Sequence, residues 1–275
     1  MIKVFRNGRE VPMQALTFNG GEEHVRLDTT TMYNADAVAI KAQIQSSKDV
    51  MQLLMVTDAV RRIGRIERIT LHLLYIPYAR QDRVCNEGEA LSLKVFCDLV
   101  NAQKYDKVIV MSPHSDVAMA LLDNVVDYTH YFEAAAAQHV KMIDSFMTIV
   151  APDAGAAKRA QKFATYFSNV PVIQANKVRD TATGKIISTE VNGYVADTTC
   201  VIYDDLCDRG GTFIPLAKEL KNKGAKQVIL VVGHGIFDLE NGPSNLFEVV
   251  DKIITSNSVD FGNRPNSSDF ITIHM

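Results

Sequence analysis

Residues Val201–Phe213 read VIYDDLCDRGGTF: an apolar strand, three carboxylates and a Gly-Gly-Thr turn in close succession. Few folds accommodate that order. The run Cys200 to Tyr203 is short, apolar and β-prone, as a buried strand is, while Ile214 to Lys223 carries helical periodicity with Gly224 as its stop. The loop between them therefore joins a strand end to a helix start, the basic joint of a parallel α/β sheet. Glycines at such a joint let backbone N–H groups approach an anion, the helix N-terminus adds positive potential, and Thr212 brings a hydroxyl donor to the same place. Asp204 and Asp205 suit a different task, because carboxylates at a strand end accept hydrogen bonds from a vicinal diol. Asp208, Gly210, Gly211 and Thr212 complete a segment suited to both ends of a ribose 5-phosphate. An ordinary turn with capping aspartates is the plainer alternative.

The rest of the chain repeats the joint. With 275 residues there is material for two medium domains, each able to bury its own core. Strand-like runs alternate with helical segments in two series. The first series places a helix at Val50–Ile63, a strand at Arg68–Ile76, a helix at Ala90–Asn101 and a strand at Lys107–Ser112. The second has strands at Thr148–Ala151, Val170–Ala175 and Gln227–Val232, a helix at Ala156–Phe167, and the Val201–Lys223 joint. The expected architecture is α/β with mainly parallel sheets flanked by helices, in two domains, 1–133 and 134–275, that divide near Glu133. Between Asn176 and Thr198 the sequence is polar, carries two glycines and alternates weakly, which predicts a hairpin or mobile flap.

Charge and cysteine content narrow the chemistry. A formal charge of −3, from 29 basic and 32 acidic residues without a long block of one sign, gives no electrostatic footprint for nucleic acid. MIKVFRNGRE is too polar for a secretory signal, and no apolar run approaches the ~18 residues a bilayer span needs. The expectation is a cytoplasmic protein acting on small molecules, with neither a nucleic-acid nor a membrane partner. Cys85, Cys97, Cys200 and Cys207 are scattered without CxxC spacing, so neither a zinc site nor a disulfide framework is indicated.

Four further segments carry candidate chemistry. Arg80, Gln81, Asp82 and Arg83 follow a strand and suit a polyphosphate, although a solvated turn with an internal Arg–Asp pair fits them equally. His114 stands just beyond the strand ending at Ser112, where open α/β sheets keep their ligands. Asp153 follows the strand ending at Ala151 and is either a carboxylate for hydrated Mg²⁺ or a helix cap. Lys177 and Arg179, two apart in the flap, suit the stabilisation of a transferring phosphoryl group, and equally an ordinary solvated flap.

In their order and spacing these segments resemble the ribose-phosphate pyrophosphokinase family. PYARQDR at Pro77–Arg83, APDAGAAKRA at Ala151–Ala160, DDLCDRGGTF at Asp204–Phe213 and GHGIF at Gly233–Phe237 carry the resemblance, which runs from about Phe18 to near the C-terminus. It implies two phosphoribosyltransferase-like domains and transfer of the diphosphoryl group of Mg-ATP to the anomeric hydroxyl of ribose 5-phosphate. Matched by position, Asp204, Asp205, Asp208, Gly210, Gly211 and Thr212 would bind the sugar phosphate. Phe18, Glu22, Arg80, Gln81 and Asp82 would border ATP, His114 and Asp153 would be linked to Mg²⁺, and Lys177, Arg179 and His114 would be catalytic. The resemblance also implies a homo-oligomer. Ser112-Pro113-His114 departs from the family's Asp-Leu-His, and Phe18-Asn19-Gly20-Gly21-Glu22 lacks the central Asn of its Phe-x-Asn-x-Glu pattern. The segment before Phe18 is short and the chain stops at Ile271–Met275 without the customary final helix, so a compact form is expected. A phosphoribosyltransferase, or a catalytically silent subunit that regulates an active enzyme, are the competing readings.

Overall fold

A computed structural model describes the chain except residues 32–35, 64–65, 180–185, 239–245, 260–261 and 263–266, with backbone only at 31, 177–179 and 186–188. Two compact units result, Met1–Tyr128 and Thr129–Met275.

The first unit is built on β1 (Ile2–Arg6), β2 (Arg9–Val11), β5 (Ala37–Ala42), β6 (Arg68–His72), β7 (Lys107–Val110) and β8 (Val125–Asp127), with a separate hairpin of β3 (Met13–Thr17) and β4 (Glu23–Leu27). Its helices are α1 (Ser47–Arg62), α2 (Ser92–Ala102) and α3 (Asp116–Leu121). Local chemistry fixes the longest: Ser46 and Asp49 form a reciprocal capping box, and Arg61 and Arg62 lie in the last turn, where cations favour the helix dipole. The main sheet runs β2-β1-β5-β6-β7-β8, and β5 to β8 are parallel and successive. Three right-handed crossovers that all step the same way put α1, α2 and α3 on a single face. There Leu53, Val56, Phe96 and Val100 pack on Val38, Ile40, Ile69, Leu71, Val108 and Val110. The strand predicted to reach Ile76 stops at His72, because the chain then turns through Pro77 into a left-handed Tyr78 (φ 62°).

The second unit comprises α4 (Thr129–Ile143), β9 (Met147–Ala151), α5 (Ala157–Ala164), β10 (Val172–Arg179), β11 (Ile186–Val191), β12 (Thr199–Cys207), α6 (Phe213–Asn222), β13 (Gln227–Gly235), α7 (Leu246–Val249), β14 (Lys252–Ser256) and β15 (Phe270–Ile273). Glu133, where the sequence suggests a division, lies inside α4 and is buried. Strand order is β11-β10-β9-β12-β13-β14-β15. From β9 the chain steps through α5 towards β10; from β12 it steps the opposite way through α6 to β13. Neighbouring β9 and β12 therefore bracket a topological switch point, and the crevice beyond their carboxyl ends is where such sheets bind ligands. Both faces are covered. Leu216 and Leu220 of α6 pack with Cys200, Ile202 and Leu230, while Phe163 of α5 stacks on Tyr203 at 4.2 Å between ring centroids.

The hairpin expected between Asn176 and Thr198 is present as β10 and β11. β10 first pairs in parallel with β9 over Val172–Gln174, then antiparallel with β11 from Ala175 onward. Asp144 ties together the amino-terminal ends of the central strands: its carboxylate accepts from Phe146 N, Thr199 Oγ1 and Lys226 Nζ, each at 2.9 Å. Those bonds hold it well below the ordinary carboxylate range, the Phe146 amide contributing most.

Candidate active site

At the switch point the two strand ends meet through a cation. Arg159 Nη1 on α5 donates to Asp204 Oδ1 at 2.6 Å and to Asp205 Oδ1. Both aspartates lie inside β12, three and two residues before its end; the sequence reading puts them in the loop after a strand ending at Tyr203. The strand continues because β13 pairs with it as far as Cys207, so the carboxylates stand on a rigid element. The loop proper is Asp208–Thr212.

Electrostatics at the pair are tightly balanced. Asp204 is pushed up to about 7, by burial above all and then by the adjacent Asp205 charge, with Arg159 pulling the other way. Burial opposes the Arg159 charge, and the two carboxylates outweigh it, so its pKa rises. A second polar cluster supports the same strand: Tyr203 Oη donates to Glu133 Oε1 at 2.9 Å, and Lys162 Nζ approaches Glu133 Oε2 at 3.5 Å. Burial is the chief reason that the Tyr203 phenol is held well above its usual pKa, with the Glu133 charge adding to it.

The turn after the acid pair is rich in glycine and opens onto a helix start. Gly210 has φ +76°, a left-handed conformation that glycine adopts without strain, and its carbonyl accepts from Phe213 N and Ile214 N at 2.9 Å to start α6. A Cβ added at Gly211 would meet nothing within 4 Å, so that backbone is open to close approach. Thr212 is the N-cap of α6, and its side chain makes no cap hydrogen bond. Arg209 turns to Asp238 at 3.1 Å, and Asp238 N donates to the Asp208 carbonyl, which fastens the loop to the end of β13. That end is the GHGIF segment, and its buried polar groups are mutually satisfied: His234 Nδ1 lies 2.7 Å from Ser258 Oγ, and Ser256 Oγ donates to the Gly233 carbonyl at 2.6 Å. A Cβ at Gly235 would collide with the Phe237 ring at 2.0 Å.

Asp153 lies two residues beyond the end of β9. It is a cap, its Oδ1 accepting from Ala156 N at 3.0 Å, and it sits at the switch-point crevice. Lys177 and Arg179 belong to β10, in register with Thr189 and Ile186 of β11; their side chains lie outside the described residues.

In the first unit the candidate residues occupy three separate turns. Phe18 and Glu22 close the β3–β4 hairpin through a backbone bond from Phe18 N to the Glu22 carbonyl at 2.8 Å, and both are exposed. It is the next residue, Glu23, that anchors this hairpin, accepting from Gln52 Nε2 at 2.6 Å and Thr17 Oγ1 at 2.7 Å. Arg80, Gln81 and Asp82 follow β6, where Gln81 N donates to the Tyr78 carbonyl and the Gln81 carbonyl accepts from Leu93 N. Asp82 stands 3.8 Å from Arg83, the internal pair that the sequence allows. His114, exposed, follows β7 and a left-handed Ser112 (φ 45°). Tyr78 and Ser112 are non-glycine residues at positive φ, a conformation that costs of order 1–2 kcal/mol and gathers at functional turns.

Arg159 is the residue whose importance the sequence did not reveal. One signal was available: Ala156, Ala160 and Phe163 are buried, and Arg159 adjoins that stripe four residues before Phe163.

A switch-point crevice, an acid pair on one strand end and a glycine cradle at the next helix define the second unit as a phosphoribosyltransferase-like domain. Comparison with known proteins agrees. Residues 128–263 match the phosphoribosyl transferase domain, and residues 7–103 match the N-terminal domain of ribose phosphate pyrophosphokinase. The ribose-phosphate pyrophosphokinase of Corynebacterium efficiens is 32% identical over 229 residues, covering 82% of this chain and 70% of that protein. That of Mycoplasma pneumoniae is 31% identical over 260 residues, 91% and 78% of the two chains. A solved structure, phosphoribosylpyrophosphate synthetase from Mycobacterium smegmatis, superposes with a TM-score of 0.80 at 26% identity, covering 96% of this chain and 86% of that one. The chain belongs to the ribose-phosphate pyrophosphokinase family.

Proposed function

We propose that the protein is a ribose-phosphate diphosphokinase, moving the diphosphoryl group of Mg-ATP onto the anomeric hydroxyl of ribose 5-phosphate with release of AMP. The observation that carries this reading is the Asp204–Asp205 pair, fixed on β12 by Arg159 and followed at once by the open Gly211 backbone and the Thr212 helix start. The carboxylates accept from the sugar diol, and the cradle takes the 5-phosphate through backbone N–H groups, the Thr212 hydroxyl and the helix dipole. Glycine at 210 and 211 lets the phosphate approach, and Asp208 shapes the loop's entry.

Diphosphoryl transfer needs little covalent work from a protein and much positioning and charge neutralisation. Lys177 and Arg179, on β10, supply the positive charge that stabilises the group in flight. Phe18, Glu22, Arg80, Gln81 and Asp82 border the nucleotide. Mg²⁺, where bound, would neutralise the polyphosphate, and Asp153 and His114 are the residues proposed to serve it, each in its own unit. Among the described residues no three His, Cys, Asp or Glu side chains gather. Mg²⁺ takes one or two protein carboxylates and fills its shell with water and phosphate oxygens. The proposal includes a cytoplasmic homo-oligomer, and light scattering on the purified protein tests the assembly. No helix among the described residues is long and apolar enough to cross a membrane.

³¹P NMR on the protein with ATP, Mg²⁺ and ribose 5-phosphate tests the activity. AMP and an anomeric diphosphate should appear in equal amounts. Sugar phosphate bound without turnover would instead make the chain a silent subunit.

A further inference from the structure

The first unit leaves one sheet face without a helix of its own, since α1, α2 and α3 all lie on the other. On this open face the strands present Lys3, Phe5, Lys41, Thr70, His72 and Lys107, alternating with the buried apolar positions. Register brings cations side by side: Lys41 is directly opposite Lys3 on β1 and His72 on β6. Like charges opposite one another on one face are destabilising. Lys3 is compensated by Glu10 at 2.9 Å. Lys41 and Lys107 instead lean on aromatic rings, with Nζ 5.4 Å from the Phe5 centroid and 5.3 Å from that of Tyr128.

Phe5, Lys41, Thr70, His72, Lys107 and Tyr128 line a hollow of about 550 Å³, within the range of small-molecule sites. Among the described residues that line it none is acidic, and Ile109 and Phe5 give it an apolar floor. Its electrostatic character registers on His72, whose imidazole is held below its ordinary value by burial first and then by Lys41 and Lys107. Lys41, His72 and Lys107, with no acidic residue among the described lining, stand over an apolar floor and are the complement of an anion with an organic part.

We propose that this hollow binds a small phosphate monoester, its phosphoryl dianion held by Lys41, His72 and Lys107 and its organic part lying on Phe5, Ile109 and Tyr128. A phosphate monoester matches better than a monocarboxylate because it carries up to two charges and three acceptor oxygens for three donors, with a second pKa near 6 that lets His72 share its proton. A second copy of this chain presenting the same face would oppose lysine to lysine. The assignment is independent of the diphosphokinase reading and involves none of its residues.

The test is NMR of the full-length protein with labelled histidine, the His72 signals being assigned with His72→Gln. Phenyl phosphate at pH 7 should move them towards the imidazolium position, because a bound dianion raises the imidazole pKa. Lys41→Gln and Lys107→Gln should each weaken binding about fivefold, while unchanged signals from the other histidines report that the fold is kept. Inorganic phosphate, the other source of the same phosphoryl chemistry, should bind more weakly. Static His72 signals, lysine variants that titrate like the parent, or equal affinity for inorganic phosphate would each overturn the assignment.

Discussion

The two units share strand-helix alternation but differ in the direction their crossovers take, and that difference decides where chemistry can collect. In the second unit the chain reverses direction between β9 and β12, so two neighbouring strand ends open a crevice and Asp153, Arg159, Asp204 and the Asp208–Thr212 loop converge there. In the first unit β5 to β8 advance without reversal. Its candidate residues stand on separate turns, after β6, after β7 and at the tip of the β3–β4 hairpin, and its unused sheet face gathers cations instead. A single reversal in strand order thus separates a unit with a focused site from one whose ligand contacts are distributed.

That contrast predicts concentrated losses in the second unit and graded ones in the first. Lys177→Ala should produce the largest effect, a fall in kcat of about 10³-fold with ribose 5-phosphate affinity little changed, as befits a charge needed in the transition state. A raised KM at constant kcat, measured in steady-state assays, would remove Lys177 from that role. Asp205→Ala should weaken ribose 5-phosphate binding by about 1.5–3 kcal/mol in calorimetry while ATP binding stays intact. Equal loss for both ligands would erase the division of labour between the units.

A third prediction concerns pH. Burial and the adjacent Asp205 charge push Asp204 up to about 7, and its ionised form is the stronger acceptor for the sugar diol, so ribose 5-phosphate affinity should fall as pH drops from about 8 to 6. Arg159→Gln removes the influence that lowers this pKa, so the decline should begin at higher pH, with Arg159→Lys intermediate. A pH profile that is the same in all three proteins would show that Arg159 does not govern the pair. The smallest effect is expected in the first unit. Glu22→Gln should change ATP affinity by less than about 1 kcal/mol and leave the melting temperature alone, whereas Glu23→Gln should lower the melting temperature by loosening the hairpin from α1.

What the sequence disclosed follows from the range of each signal. The Asp204–Thr212 segment was legible because strand, acids, glycines and helix start are contiguous, and the β10–β11 hairpin because its polarity and glycines are local. The strand end was misjudged by four residues because acidic side chains end an apolar run while hydrogen bonds to β13 carry the strand on to Cys207. Arg159 was passed over because its partners are 45 and 46 positions away, and only the adjacency of β9 and β12 brings them together. Lys41, His72 and Lys107 come from three strands and form no pattern along the chain. Glu23 anchors its hairpin through Gln52, 29 positions away, a separation too long to show as a local pattern.

The Arg159 bridge also bears on how the protein responds to ionic strength. At the diol end the carboxylates already carry their counter-charge at 2.6 Å, inside a Debye length of about 8 Å at 0.15 M salt, so added ions have little left to screen there. At the phosphate end the attraction comes from a helix terminus and backbone dipoles facing the solvent, and salt acts on it directly. Raising salt should therefore weaken the hold on ribose 5-phosphate far more than on ribose, making ionic strength a dial that reads the strand end and the loop of the proposed site separately.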